Sequence, residues 1–532
     1  MAEQAAYDVL SYDLDLRIDP DRRFLRGTVT VEVSAIVAFS WFVLDLDHRL
    51  GVTRVARWAD GESESRVVLP YEQRGGKLWI ALDRECQPGQ RLIVAIDYAG
   101  HPRTAARAPW DGGFTWSETG DGQPWIATSV QGEGGDLWWP CKDHPSDKPD
   151  SVTIRATVPA PLVVASNGRL VEVLENADGT RTHHWHTSFP ISNYNVALNI
   201  APYETINGVY ESLSGETVPV TFWVLPENKE RGEKLFTEIL DHLNFYERYL
   251  GPYPFRAEKY GVAETPHLGM EHQSIIAYGN LYRGGPHGYD WLHHHELGHE
   301  WWGNLVTVSD WRDFWIHEGL CTYMQALYAE EREGIVAYHH AMYESRRRIK
   351  NEFAVVPSLS TGMHAMFEGP SNDVYFKGSW ILHMLRYQIG RERLIECLRR
   401  FAYASAEAEK TLDGSACRFV TTEDFIATVE EVTGREWDWF FDLFLRQPEL
   451  PKLVCRVEGE TLTLEWETPE GFPFPMPLEM EVDGEIIQVE MPEGRTELSA
   501  ARFAHALIDP NLWLLKEPKT VNLRQISETS TP

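Results

Sequence analysis

Between Trp291 and Tyr323 the chain reads WLHHHELGHEWWGNLVTVSDWRDFWIHEGLCTY, and within it His295-Glu296-Leu297-Gly298-His299 sets two histidines four residues apart. On an α-helix residues four apart differ by about 40° in direction, so both imidazoles leave from one face. A catalytic zinc site takes three protein ligands and keeps its fourth position open. The third ligand must come from further along the chain, and Glu318 follows His299 after 18 intervening residues, enough to finish one helix, turn and start another. Zinc held by His295, His299 and Glu318, one ion per chain, would acidify a bound water and polarise a carbonyl. Glu296, next to a ligand, is placed to take that water's proton.

The elements that position these residues change character along the chain. Over the first 200 or so residues apolar side chains alternate with polar ones, as in Tyr12, Leu14, Leu16 and Ile18, and in Val29, Val31 and Val33, a period of two that reads as strands. Further alternating runs cover Arg91–Tyr98, Val152–Val158 and Leu162–Leu174, with turn clusters such as Asn167-Gly168 and Asp178-Gly179. Near residue 230 the period becomes helical: Leu235, Ile239, Leu243 and Tyr246 recur until Gly251-Pro252 stops the run. Helical patterns continue to about Pro448, among them one that starts near Thr421 and ends at Gly434. After Pro451 alternation returns around Glu458-Gly459 and Asp483-Gly484, turn pairs that mark hairpins. The expected architecture is multidomain α+β. An antiparallel β-rich domain spans 1–205, a thermolysin-like and mainly helical zinc domain 206–447, and a small β-sandwich 448–525, with a polar tail at 526–532.

HELGHEWWGNLVT followed by W-x3-W-I-H-E-G resembles the HELxHxWFGNxVT…WLNEG core of the gluzincin metallopeptidases of the aminopeptidase N and leukotriene hydrolase type. Pro140–Lys148 (PCKDHPSDK) is similar to that family's PCxDxPxxK stretch, Leu268–His272 (LGMEH) to its GxMEN, and Tyr375-Phe376-Lys377-Gly378 to its YxKG. The resemblance implies a zinc aminopeptidase acting on peptides with a free N-terminus. It makes Tyr375 the phenol that stabilises the developing oxyanion. It makes Glu271 the carboxylate that faces the substrate ammonium, with Gly269 and Met270 on the same substrate-binding segment and Gln131 as a second amine-site residue. Leu268 and His272 depart from the family's Gly and Asn. Leu268 is expected to reshape the first subsite, and His272 either adds positive charge there or fills space. The chain also resembles a short form without the family's large C-terminal helical domain, which leads to the expectation of a more open site.

Composition narrows the field. The chain has 532 residues, 49 Lys+Arg against 80 Asp+Glu, and a formal charge of −31. That deficit of cations argues against a nucleic-acid or anionic-membrane partner and suits substrates that carry an ammonium. No run of about 18 apolar residues is present to span a bilayer. The N-terminus lacks the pattern of a secretory signal, and the six cysteines are scattered, so a cytoplasmic setting with reduced thiols is expected. The oligomeric state is not legible. Among the lesser features, His293 and His294 read as second-shell neighbours of the metal site, Cys321 as a small core residue, and Glu330–Glu333 as a solvated helix face. Two other activities fit the same fold: a lipid-epoxide hydrolase using the same metal, and a scaffold that has lost its chemistry.

Overall fold

The computed structural model describes residues 1–58, 66–503 and 506–517; the tail expected at 526–532 lies outside them. The chain divides into two compact units, one of residues 1–309 with 402–420, the other of 310–401 with 421 onward.

In the first unit the alternation seen in sequence becomes sheet. Tyr7–Asp19 buries Tyr12, Leu14, Leu16 and Ile18 on one face, as a period of two requires. It lies inside an eight-stranded sheet, antiparallel to Phe24–Ala35 and parallel to Ser151–Pro159. The other pairings in that sheet are antiparallel. Leu162–Leu174 is two strands, divided at the turn pair Asn167-Gly168. Gly168 takes a left-handed φ of 69°, and the chain passes from Val163–Ala165 in a four-stranded sheet to Arg169–Glu175 at the edge of the large one.

A five-stranded mixed sheet follows, in the order Glu204–Glu211, Thr217–Val224, Tyr260–Glu264, Ile276–Tyr278, Gly269–Met270. Its last, two-residue strand is an edge. Two helices of this unit matter for function: α1 (Lys229–Leu250) and α2 (Trp291–Gly298). Helix α1 buries the expected stripe of Leu235, Ile239, Leu243 and Tyr246 and ends at Gly251, whose φ of 99° closes the last turn.

The second unit is helical and then β. Helix α3 (Trp315–Glu333) is followed by α4 (Ile335–Arg346), the short α5 (Met363–Glu368) and α6 (Asp373–Ile389). The helix expected to start near Thr421 spans Thr422–Thr433. The Thr421 hydroxyl and Asp424 form a capping box at its start, and Gly434 in the left-handed region ends it. Beyond Pro451, strands Lys452–Glu458, Thr461–Glu467 and Arg495–Ser499 form one sheet, and Leu478–Val482, Glu485–Val489 and Leu507–Ile508 another. Cys321 is fully buried, as expected. The run Glu330–Glu333 differs from expectation at its first residue. Glu330 takes a two-pronged ion pair from Arg386 of α6, at 2.6 and 2.8 Å, because its helix face turns toward α6 there.

Helices α3 and α6 cross backbone to backbone. A Cβ on Gly319 would sit 2.9 Å from the Gly378 Cα, and one on Gly378 would sit 3.0 Å from the Gly319 Cα. Replacing Gly378 by Val should therefore force the helices apart and destabilise the fold by about 1–3 kcal/mol, the usual cost of overpacking. Denaturant unfolding of the two proteins measures this, and an unchanged midpoint would contradict the packing.

Candidate metal centre and substrate site

Helix α2 carries the two histidines, and its start is strongly tied. Asp290 caps it, accepting from the His293 N–H at 3.0 Å, the Tyr278 hydroxyl at 2.6 Å and the Asn280 amide at 3.0 Å. The helix runs to Gly298, and His299 keeps right-handed helical angles as its C-cap. The four-residue spacing brings His295 Nε2 to 3.3 Å from His299 Nε2, with the ring planes 83° apart. Two nitrogens each about 2.0–2.1 Å from one zinc at a tetrahedral angle stand about 3.3–3.4 Å apart, so the pair fits that ion. His299 Nδ1 lies 2.9 Å from the Trp302 carbonyl oxygen. That acceptor assigns the proton to Nδ1 and leaves the Nε2 lone pair for a metal.

Helix α1 backs α2 through residues spaced four apart. Glu238 accepts from the Asp290 N–H at 2.6 Å, His242 Nδ1 meets His293 Nδ1 at 2.8 Å, and the Tyr246 hydroxyl donates to the His294 carbonyl at 3.0 Å. His293 Nε2 meets the Tyr260 hydroxyl at 2.8 Å. Burial pushes both His293 and His294 well below the usual imidazole range. The contacts of these two histidines on α1 and on Tyr260 anchor the helix.

The segment after α2 ties the site to the strand Gly269–Met270. Burial raises the Glu300 carboxyl to about 8. It accepts from the Ser274 N–H at 2.8 Å and the Asn304 amide at 3.2 Å, and the same Asn304 amide donates to the Glu271 carbonyl at 3.0 Å. Lys148, the last residue of PCKDHPSDK, donates to the Asn304 carbonyl and to the Thr307 hydroxyl, each at 2.7 Å. Its ammonium is lowered to about 8 by burial.

Glu271 is only 3% exposed. Its Oε1 accepts from the Gln131 side-chain amide and, at 3.0 Å, from the Tyr194 hydroxyl. Carboxylate oxygens of Glu271 and Glu296 and a nitrogen of His299 all lie within 4.8 Å of one another. Gly269 makes room for this: a Cβ there would stand 2.5 Å from Glu296 Oε1. Met270 is buried and Leu268 half-buried. His272 is wholly buried, and desolvation lowers its imidazole to about 3, so it is uncharged at neutral pH and fills space.

In the second unit Glu318 sits in the first turn of α3, 3% exposed. The residue after it is Gly319 of the helix crossing. Tyr375 lies in the first turn of α6, three residues before Gly378, half-buried and edge-on to Phe314 with ring centroids 6.5 Å apart. Lys377 donates to the Gln447 carbonyl at 3.0 Å and is lowered to about 8 by burial.

Comparison with known proteins agrees with this arrangement. The Peptidase M1 N-terminal domain matches residues 9–195 and the Peptidase family M1 domain residues 291–444. The chain belongs to the M1 family of zinc metallopeptidases. Zinc is its cofactor, and the two-histidine spacing is that of a zinc pair. Aminopeptidase M1-C of Oryza sativa subsp. japonica is 23% identical over 478 residues, 85% of this chain and 51% of that protein. Human endoplasmic reticulum aminopeptidase 1 is 25% identical over 436 residues, 76% of this chain and 45% of that protein. The chain thus spans about half the length of these curated relatives. A crystal structure of an M1 zinc metallopeptidase from Deinococcus radiodurans, a variant bound to the substrate Tyr-Ser-Ala, superposes with a TM-score of 0.68 at 25% identity, over 84% of this chain and 95% of that one. The β-rich N-terminal region, helical catalytic region and C-terminal β region follow the M1 pattern.

Reading the M1 motifs alone misses Tyr194, Asp290 and Glu238. Tyr194 stands in the irregular stretch Ser192–Asn195, where no periodicity marks it. Asp290 was accessible as the acidic residue just before a helical run. Because Gly269 borders Glu296 so closely, Gly269→Ala should push that carboxylate aside. We expect kcat to fall about tenfold or more while the unfolding midpoint moves little, read by steady-state kinetics beside a thermal melt. Full activity in Gly269→Ala would show that the contact relaxes without consequence.

Proposed function

We propose that the chain is a zinc aminopeptidase that releases the N-terminal residue of peptides. The observation that carries this reading is Glu271: a nearly buried carboxylate, fed by Gln131 and Tyr194, beside Glu296 and His299. A buried carboxylate next to a hydrolytic centre suits an ammonium partner, because charge-assisted hydrogen bonds are strong where water is excluded. With the substrate's N-terminus held there, only the first peptide bond reaches the reacting position. Gln131 and Tyr194 hold the Glu271 carboxylate in place, and His272 packs behind the segment without charge. Leu268, where the family resemblance has Gly, narrows the first subsite.

His295, His299 and Glu318 are the proposed ligands. Zinc bound to them supplies Lewis acidity that polarises the scissile carbonyl and lowers the pKa of a water. Glu296 accepts that water's proton and passes it to the leaving amine. The Tyr375 phenol donates to the carbonyl oxygen as negative charge builds on it. His299 is held for its role by the Trp302 carbonyl. A cytoplasmic setting belongs to the same reading. All six cysteines are free thiols, and among the described residues no helix is long and apolar enough to cross a membrane.

The test is a panel of amino-acid arylamides, run on the zinc-loaded protein, after chelation and after zinc add-back. Chelation should abolish hydrolysis and add-back restore it. Glu296→Gln should lower kcat by about a hundredfold or more at unchanged zinc content, in the range of general acid–base catalysis. Glu271→Gln should act chiefly by raising KM. Absence of arylamide and peptide hydrolysis with stoichiometric zinc would refute the proposal.

A further inference from the structure

Ser274 stands in the left-handed region, with a φ of 58°, and is wholly buried. A residue with a Cβ resists that conformation and keeps it only where its surroundings hold it there. All three of its polar groups are held. The Ser274 N–H donates to Glu300 at 2.8 Å, its hydroxyl oxygen accepts from the Gly168 N–H at 2.9 Å, and its carbonyl accepts from Lys259 Nζ at 2.5 Å. The turn it closes starts at Glu271. Along that turn the Glu271 carbonyl accepts from the Asn304 amide at 3.0 Å, the His272 carbonyl from the Ile275 N–H at 2.9 Å, and the Gln273 carbonyl from the Asn167 amide at 2.8 Å. Ahead of the turn the strand Gly269–Met270 is a two-residue edge, paired to Tyr278 and Ala277. So short a strand does little to fix the residue after it, and the aim of Glu271 depends on the turn.

Lys259, which ties the far end of the turn, is 5% exposed. Its Nζ lies 5.3 Å from the ring centroid of Trp185 and 5.8 Å from that of Trp223, two indoles that meet edge to face. A Cβ on Gly261 would stand 2.7 Å from the Ser274 carbonyl oxygen and 3.2 Å from Nζ, so a glycine there leaves the pair its room. Burial lowers the ammonium to about 7 against the pull of Glu258 and Glu300. Amine and ammonium alike donate to a carbonyl, so the tie holds in either state. From Ser274 the hydrogen bonds run through Glu300 to Asn304 and the Glu271 carbonyl, and Glu300 is the chain neighbour of His299. This circuit holds Glu271 at its place beside Glu296 and His299.

We propose that Lys259 is a positioning residue for the ammonium end of the substrate: by holding the Ser274 carbonyl it fixes the turn that aims Glu271, and so sets how well the site grips a free N-terminus. The inference rests on the aminopeptidase reading and deepens it by adding a residue that touches neither substrate nor metal. Its effect falls on recognition of the amine and leaves metal chelation alone.

The experiment uses the full zinc-loaded chain and two inhibitors, leucine hydroxamate and 4-methylpentanohydroxamate. Both chelate zinc through the same group and carry the same side chain; the first alone has an α-ammonium. The ratio of their inhibition constants reads the grip on that ammonium. In the unmodified protein the amino compound should bind about thirtyfold tighter or more. In Lys259→Met the ratio should fall to within about threefold of unity and KM for arylamides rise about tenfold with kcat moving less, while zinc content and the constant for the amine-free compound stay within about twofold. Lys259→Arg, which keeps a donor for the carbonyl, should retain most of the ratio. A lysine that merely supports the fold predicts that both inhibitors weaken together, and a preserved ratio in Lys259→Met overturns the proposal. Should Lys259→Met not fold, Trp223→Leu, which removes one wall around Nζ, reads the same ratio: a fall supports positioning and an unchanged value overturns it. Equal binding of the two inhibitors by the unmodified protein overturns the aminopeptidase reading itself, whereas a large ratio that survives substitution overturns the role of Lys259 alone.

Discussion

An isolated helix of eight residues is unstable in water, yet α2, with eight, presents His295 and Glu296 and leads directly into His299. The stability of this helix is borrowed from α1. Glu238, His242 and Tyr246, on successive turns of α1, meet the N-cap and first turn of α2 at the Asp290 N–H, His293 and the His294 carbonyl. All the groups involved are polar and nearly all are buried, where a hydrogen bond left unmade costs about 1–3 kcal/mol. Any rotation of α2 about its axis would break several at once. The 3.3 Å approach of the two imidazole nitrogens is therefore a property of the α1–α2 contact as much as of the HExxH spacing.

The same region confines two carboxylates, Glu271 and Glu296, within a few ångströms of each other and of His299. Like charges this close repel unless each has its own compensation. Gln131 and Tyr194 supply neutral donors to Glu271, which orient it without cancelling its charge. In the proposed reaction the substrate ammonium adds a cation beside them. Further out, burial holds His272 and His293 uncharged.

Most of the fold was legible because its signals are local. Alternation in Tyr7–Asp19, the Leu235–Tyr246 stripe and the Thr421 and Gly434 caps each follow from neighbours in the chain. Asn167-Gly168 likewise marks the turn within Leu162–Leu174, but that its two arms enter different sheets was not legible, because only long-range pairing decides it. In the site, the four-residue spacing of His295 and His299 is the rule that brings their Nε2 atoms to 3.3 Å. Gln131 and Glu271, which family resemblance paired, do share a hydrogen bond. Tyr194 and Glu238 follow no spacing rule relative to the motifs. They reach the site across gaps of 77 and 52 residues, and no one-dimensional pattern records such an approach. Glu330 was misread for a related reason: a run of charge looks solvated until a helix carrying Arg386 is laid against it.

The glycine pair where α3 and α6 cross has a mechanical meaning as well as a steric one. Glu318 and Gly319 are neighbours, and Tyr375 is within one turn of Gly378. With no side chain between the two backbones, nothing compressible separates the helices at that point. Interiors packed this closely transmit displacement instead of absorbing it. The acidic residue and the phenol of the second unit therefore ride on one lever, pivoted at the glycines. A tilt that advances one helix end carries its partner along, so the spacing between these two groups stays fixed.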